Sequence, residues 1–277
     1  MNGGSSAGPI LLVGCGKMGG ALVSGWRARG VAAERIVIVE PAEAARAAAA
    51  KLGVMVLSAP PTADRDRPFG AIVLAVKPQM MAAVAPAYQA LMAPSTVALS
   101  IAAGTTTATL KNFLGASAAV VRAMPNTPAA VGRGMTVLFA AAGVTPLQAD
   151  ICAELLTAVG DVRWIKDEAL MDAVTAVSGS GPAYVFHLIE ALAAAGVAAG
   201  LDAMLAADLA LATVTGSGEL ARLSSEPAAT LRANVTSPGG TTEAALKVLM
   251  ADPGGLKELM TRAVQAAAKR SQELSKS

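Results

Sequence analysis

The sequence is short of nearly every side chain that performs chemistry unaided. It holds one histidine, His187, so a Ser-His-Asp triad has a single base to draw on. Its two cysteines, Cys15 and Cys152, lie far apart and outside any Cys-x-x-Cys spacing, which removes a zinc site and a disulfide framework; no metal is expected. Aromatic residues make up 3% and charged residues 15%, with a net charge of +2 and no basic block, so neither a base-stacking platform nor a phosphate-tracking surface for nucleic acid is visible. Every long apolar stretch is broken by Asp, Glu, Lys, Gly or Pro before the ~20 residues a membrane span needs. The first nine residues, Met1–Pro9, are polar and Gly/Ser-rich without the cationic start and apolar core of a signal peptide, so a flexible N-terminus and a cytoplasmic protein are expected. Any chemistry must be brought largely by a cofactor.

What the sequence has in quantity is small apolar material. Of its 277 residues 54% are hydrophobic and 64 are alanine, enough to bury the cores of two helix-rich domains. Through the first 165 or so residues, short β-branched runs alternate with Ala-rich stretches, the pattern of βα units feeding a parallel sheet. Strands are expected at Ile10–Val13, Ile36–Val39, Val54–Leu57, Ala71–Val76, Thr96–Ile101 and Ala118–Ala123, then at Met135–Phe139 and Val162–Ile165 with a helix between that opens at Thr145-Pro146. From Asp167 onward the strand pattern gives way to helical periodicity at Gly181–Ala199, Ala203–Ala221 and Gly255–Leu274. The expected architecture is therefore α/β: a Rossmann-type, doubly wound sheet domain over 10–166, followed by an all-helical domain over 167–277. Helices with small residues on more than one face, as at Ala191, Ala194 and Ala195, are usually buried on two sides, and a dimer is expected.

The sharpest local signal is Gly14-Cys15-Gly16-Lys17-Met18-Gly19, which follows the first strand and opens a helix. In that context Gly14 permits the tight turn, Gly16 lets backbone approach a pyrophosphate, and Gly19 lets helix and sheet pack closely, with free N–H groups aimed at the anion. Glu40 ends the second strand, about twenty residues later, where an acidic side chain accepts hydrogen bonds from a dinucleotide ribose and repels a 2′-phosphate. A solvated loop glutamate is the competing reading, and Arg46 is close enough in sequence to receive a phosphate instead. Ala75-Val76-Lys77-Pro78-Gln79 and Ser100-Ile101-Ala102-Ala103-Gly104 fall at the carboxyl ends of two further strands, the rim on which such sheets bind ligands. In the helical half, Ser178-Gly179-Ser180-Gly181-Pro182-Ala183-Tyr184 and Asn234-Val235-Thr236-Ser237-Pro238-Gly239-Gly240-Thr241-Thr242-Glu243 resist a purely structural reading. The second presents a helix start with N–H donors and hydroxyls, a carboxylate site without arginine, although routine capping would use the same residues.

These segments, together with Arg122-Ala123-Met124-Pro125-Asn126-Thr127-Pro128 and Asp172–Tyr184, resemble bacterial pyrroline-5-carboxylate reductases in order and across almost the whole chain. The resemblance implies reduction of the cyclic imine 1-pyrroline-5-carboxylate to L-proline by NADPH or NADH. It implies a homodimer with the active site at the subunit interface, often in a ring of dimers such as a decamer. It also places the dinucleotide on Val13, Gly14, Cys15, Gly16, Lys17, Met18, Gly19, Glu40, Ala75, Val76, Lys77, Pro78, Ile101, Ala102 and Ala103. The substrate falls on Glu168, Asn234, Gly240, Thr241 and Thr242, with the Thr242 hydroxyl orienting the imine nitrogen. His187 sits where relatives are usually apolar, and packing is its expected role. Two other readings stay open. A β-hydroxyacid dehydrogenase or another imine reductase shares the layout, but the former needs a lysine that Gly179–Ala199 lacks; a non-catalytic NAD(P)-binding sensor would not need an intact Asn234–Thr242 turn.

Overall fold

The computed structural model describes residues 8–64 and 66–274. The flexible terminus expected over residues 1–9 falls almost entirely outside these. The described residues form two compact units, one of residues up to 179 together with 268–274, and one of 180–267.

The first unit runs β1 (Ile10–Val13), α1 (Lys17–Ala28), β2 (Ile36–Val39), α2 (Glu43–Ala50), β3 (Met55–Leu57), β4 (Ala71–Leu74), α3 (Met81–Val84), β5 (Val97–Ser100), α4 (Thr107–Leu114), β6 (Ala119–Met124), β7 (Gly134–Ala140), α5 (Pro146–Thr157), β8 (Gly160–Trp164) and α6 (Met171–Val174). All eight strands appear where the sequence places them, with ends shifted by no more than about two residues. They form one sheet in the order β3-β2-β1-β4-β5-β6-β7-β8. The chain leaves β1 toward β2 on one side and returns to β4 on the other, so a crevice opens at the carboxyl ends of β1 and β4. Both faces are covered: Leu12, Ile38, Val73 and Leu99 pack with Leu22, Val23 and Trp26 on one side, and Leu11, Val13, Ile72 and Leu74 with Met81 and Tyr88 on the other. Burial on two sides is why these strands read as unbroken apolar runs rather than as alternations. Trp26, 1% exposed, donates its indole N–H to the Leu155 carbonyl at 2.8 Å and ties α1 to α5.

One departure from the all-parallel expectation is β7, which pairs antiparallel to β6. Only a short 3₁₀ turn, Thr127–Val131, joins the two strands, too little chain for a parallel crossover. β7 and β8 pair in parallel and begin at a glycine couple, Gly134 with Gly160. Gly160 has φ +152°, and a Cβ there would fall 1.9 Å from the Gly134 carbonyl oxygen, so only glycine fits. The helix expected at Thr145-Pro146 is present with a complete capping box between Thr145 and Gln148.

The second unit contains α7 (Gly181–Ala198), α8 (Ala203–Leu223), α9 (Ala228–Asn234), α10 (Thr241–Leu249) and the first part of α11 (Leu256–Leu274). Asp202 caps α8 by accepting from the N–H groups of Met204 and Leu205. α7 and α8 approach closely where a Cβ on Gly196 would lie 3.2 Å from that of Ala206. Within the unit α7 has no buried residue, and Val185, Phe186, Leu188 and Leu192 are exposed. The sequence puts the domain boundary after residue 166; the compact units part at Gly179, because 167–179 packs against the sheet domain through Glu168, as detailed below, and through Ser178, which receives the Asn126 amide.

Candidate active site

The loop leaving β1 is shaped by its glycines in three different ways. Gly14 has φ +86°, and a Cβ there would meet the Ala75 carbonyl oxygen at 3.0 Å. A Cβ on Gly19 would fall 2.6 Å from the Gly14 carbonyl oxygen, so the third glycine brings α1 against the loop. Gly16, the N-cap of α1, has open space beyond it, and no side chain caps the helix there. The loop thus offers first-turn N–H groups of a twelve-residue helix behind a residue with no side chain, the fit a pyrophosphate requires.

A cavity of about 350 Å³ opens on this loop. Of the residues expected to hold a dinucleotide, Val13, Gly14, Gly16, Glu40, Ala75, Val76 and Lys77 line it. Cys15, Lys17, Met18 and Gly19 complete the loop and the start of α1 without lining the cavity. The Cys15 thiol is pushed up by burial and then by the Glu40 charge, so it stays protonated and is no nucleophile. Pro78 and Ala103 line a second cavity of about 540 Å³ with Gln79, Gly104, Thr105 and Thr109. Ile101 donates its N–H to the Leu74 carbonyl at 3.1 Å, and Ala102 is buried. Sequence reasoning missed Ser58, Pro60, Met80 and Tyr88, which also line the first cavity; only the spatial order of the strands brings them there.

Glu40 is not a solvated loop residue. Its Oε2 accepts from the Cys15 N–H at 3.0 Å and its Oε1 from the Ala42 N–H at 3.1 Å, so the carboxylate is held against the glycine loop. Arg46, on α2, reaches back across the first turn: its Nη1 donates to the carbonyl oxygens of Glu40 and Pro41. A fixed anion and a guanidinium therefore stand side by side at the end of β2.

Glu168 makes three bonds inside the first unit. Its Oε1 accepts from Arg122 Nη1 at 3.1 Å and from the Thr107 N–H at 2.8 Å, and its Oε2 from the Thr107 hydroxyl at 2.7 Å. Arg122 is 5% exposed and projects from β6. A lone charge inside the apolar run Ala-Val-Val-Arg-Ala-Met was a sequence signal for a buried partner; nothing local pointed to Thr107.

In the second unit, Gly240 begins α10 without a capping side chain and donates its own N–H to the Ser237 carbonyl at 3.0 Å. The N–H groups of Thr241 and Thr242 have no partner among the described residues, so of the three residues Gly240, Thr241 and Thr242 expected to hold substrate, two have open backbone donors. Glu243 accepts from the Gly239 N–H and pairs with Lys247 at 3.2 Å, both of which hold its carboxyl below the usual range. Asn234 is exposed and donates to Glu226 at 3.2 Å. His187, expected to pack, is exposed in its unit and lies 3.1 Å from Glu190.

Known proteins fit both units. A family profile described as pyrroline-5-carboxylate reductase dimerisation matches residues 168–274, and one described as NADP oxidoreductase, coenzyme F420-dependent, matches 9–104. The pyrroline-5-carboxylate reductase of Pseudomonas aeruginosa is 43% identical over 96% of this chain and 96% of its own. The chain belongs to the pyrroline-5-carboxylate reductase family. The pea reductase is 39% identical over 95% of this chain and 94% of its own. Among solved structures, the reductase of Coxiella burnetii superposes with a TM-score of 0.88 at 36% identity, covering 98% of this chain and all of that one. The Plasmodium falciparum reductase, solved with NADP bound, gives 0.79 at 29% identity over 98% of this chain and 100% of its own. The reductase dimerisation profile begins at Glu168, within the first compact unit. It also takes in Glu168–Ala198, a helical stretch long and apolar enough by length and composition alone to cross a membrane, although Asp172, Gly179, Gly181, Pro182 and Glu190 interrupt it. Its apolar side chains belong to the region this family uses for dimerisation.

Proposed function

We propose that this chain catalyses reduction of the C5=N bond of 1-pyrroline-5-carboxylate to L-proline with NADPH or NADH. The observation that carries the reading is the open space beyond Gly16 at the mouth of a glycine loop facing the 350 Å³ cavity, in a chain of this family. The dinucleotide, when bound, supplies a hydride from C4 of its reduced nicotinamide. The protein has to position both partners, exclude water and present an imine that accepts the hydride. Val13–Gly19, Glu40, Ala75–Pro78 and Ile101–Ala103 hold the dinucleotide. The N–H groups of Thr241 and Thr242 receive the substrate carboxylate at the positive end of α10. Asn234 also holds the substrate, and the Thr242 hydroxyl orients the imine nitrogen. No lysine or histidine stands in the substrate segment Asn234–Thr242 to donate a proton, and protonation of the imine is assigned to solvent before it binds. Oxidation of NADPH on addition of the imine tests the reading; no oxidation with either cofactor overturns it. Thr242→Val keeps the shape and removes the hydroxyl. It should cost about 1–3 kcal/mol in transition-state stabilisation, seen in kcat/KM for the imine with cofactor affinity unchanged; unaltered kinetics would remove Thr242 from the site.

Glu40 bears on which cofactor is used. A carboxylate pinned at the end of β2 repels a 2′-phosphate by about 1–3 kcal/mol, and Arg46 beside it offsets part of this. NADH should therefore be used at least comparably with NADPH, and Glu40→Ser should shift the ratio of kcat/KM values toward NADPH by about tenfold or more. A hundredfold NADPH preference that Glu40→Ser leaves unchanged rules this out.

The protein acts as a cytoplasmic homodimer, and dimers assemble further into a ring. The exposed Val185, Phe186, Leu188 and Leu192 of α7 support a dimer face. Ala194→Glu places a charge on that helix and should yield a monomer at micromolar concentration by sedimentation. A wild type that sediments as a monomer overturns the assembly.

A further inference from the structure

The loop that follows β5 is fastened at both ends by one charge network. It leaves Ser100, whose register partner on β6 is Arg122, and it ends at Thr107, the first residue of α4. Arg122 and Thr107 meet on the same carboxylate, that of Glu168, through the three bonds of 2.7–3.1 Å described above. Inside the loop, Ile101 is tied to Leu74, and Ala102 donates to the Ser100 hydroxyl at 3.3 Å. Gly104 turns the chain with φ +73°. The loop start is thus fixed by sheet register and its end by Glu168, across six intervening residues.

Stability alone does not call for such an arrangement. Apolar side chains of the same volume often stabilise an interior as well as a buried ion pair does. They have no direction, however. Here the N–H and the hydroxyl of one residue are both committed to one carboxylate, whose other neighbour is a guanidinium in the adjacent strand. That fixes the height and rotation of the first turn of α4, and with it the backbone of 101–106. Glu168 also opens the 3₁₀ turn that follows β8, still within the first unit.

We propose that Arg122, Glu168 and Thr107 form a positioning clamp that holds loop 101–106 in the shape needed to receive the nicotinamide end of the dinucleotide. This rests on the reading above that Ile101–Ala103 lie along the cofactor. Glu168 acts through the loop, and its carboxylate is a positioning group.

Thr107 is the place to test it, because Thr107→Val keeps shape and burial, leaves the ion pair in place and removes one bond, while Thr107→Ser keeps the hydroxyl. Binding of NADPH is followed by nicotinamide fluorescence, and binding of ADP-ribose, which lacks the nicotinamide, by calorimetry. Thr107→Val should weaken NADPH about tenfold, leave ADP-ribose affinity unchanged, and lower kcat with little change in KM for the imine. Thr107→Ser should restore wild-type values. Glu168→Gln should show the same split between the two ligands. If Thr107→Val binds NADPH as the wild type does, the clamp is wrong. It is equally wrong if Glu168→Gln raises KM for the imine alone, since Glu168 would then touch substrate. A wild type that binds neither NADPH nor ADP-ribose overturns the dinucleotide reading, and the clamp with it; a wild type that binds both separates the two.

Discussion

Gly16→Ala should give a protein that folds as well as the wild type and has lost its dinucleotide. Gly16 has φ −71° and ψ −166°, which alanine adopts without strain, and the added methyl would meet nothing within 4 Å. The change in stability should stay within about 0.5 kcal/mol. The methyl group points, however, into the space through which a pyrophosphate reaches the N–H groups of α1. Displacing the ligand by that amount should cost ~3 kcal/mol, about a hundredfold in affinity. Gly19→Ala makes the contrast: its methyl would sit 2.6 Å from the Gly14 carbonyl oxygen, so folding and binding should fail together. Thermal melts beside fluorescence titrations read both. Normal NADPH affinity in Gly16→Ala would move the phosphate site elsewhere.

The largest loss of stability from a single truncation outside the apolar core is expected for Glu168→Ala. It leaves the Arg122 guanidinium buried without its carboxylate, and strands the N–H and hydroxyl of Thr107, itself 6% exposed. Breaking a buried pair from one side costs about 3–5 kcal/mol. Because Glu168 is partly open to solvent, with 22% of its side chain exposed, the lower end of that range applies. Arg122→Met combined with Glu168→Leu should recover most of it, since no charge is then left behind. Denaturant titration of the three variants checks this. A cost below about 1 kcal/mol for Glu168→Ala would mean that Arg122 is solvated or finds a second acceptor.

These residues also mark where the sequence stops being legible. The inner strands β1, β2, β4 and β5 could be read because burial on both faces leaves apolar, largely β-branched runs with no charge in them, and the glycine loop because each of its glycines answers a local steric demand. The antiparallel β7 could have been read as well: the stretch between Met124 and Gly134 holds Pro125, Pro128 and Gly132 and is too short for a crossover helix. The partners of Glu168 lie 46 and 61 positions away in sequence, and pairings over that distance leave no periodicity. Arg122 announced a partner without naming it. The same holds for the cavity: Ser58, just after β3, and Tyr88, in the segment that follows β4, line it together only because β3 and β4 lie on either side of β2 and β1 in the sheet.

Helix α11 crosses from one compact unit to the other, and the consequence is one of timing during synthesis. Its residues from Ala268 onward belong to the first unit, where Ser271, buried, donates its hydroxyl to Asp172 at 2.6 Å and Leu274 lies against Gly104. The helical unit is therefore an insertion within the sheet domain, entered after Gly179 and left at Ala267. A ribosome that has finished the last strand of the sheet must still make the whole insertion before the residues that complete the first unit emerge. At about 5–20 residues per second that is a wait on the order of ten seconds. The unit that begins first is the last to be finished, and during that interval the nascent chain displays the apolar face of α7 with its own sheet domain still incomplete.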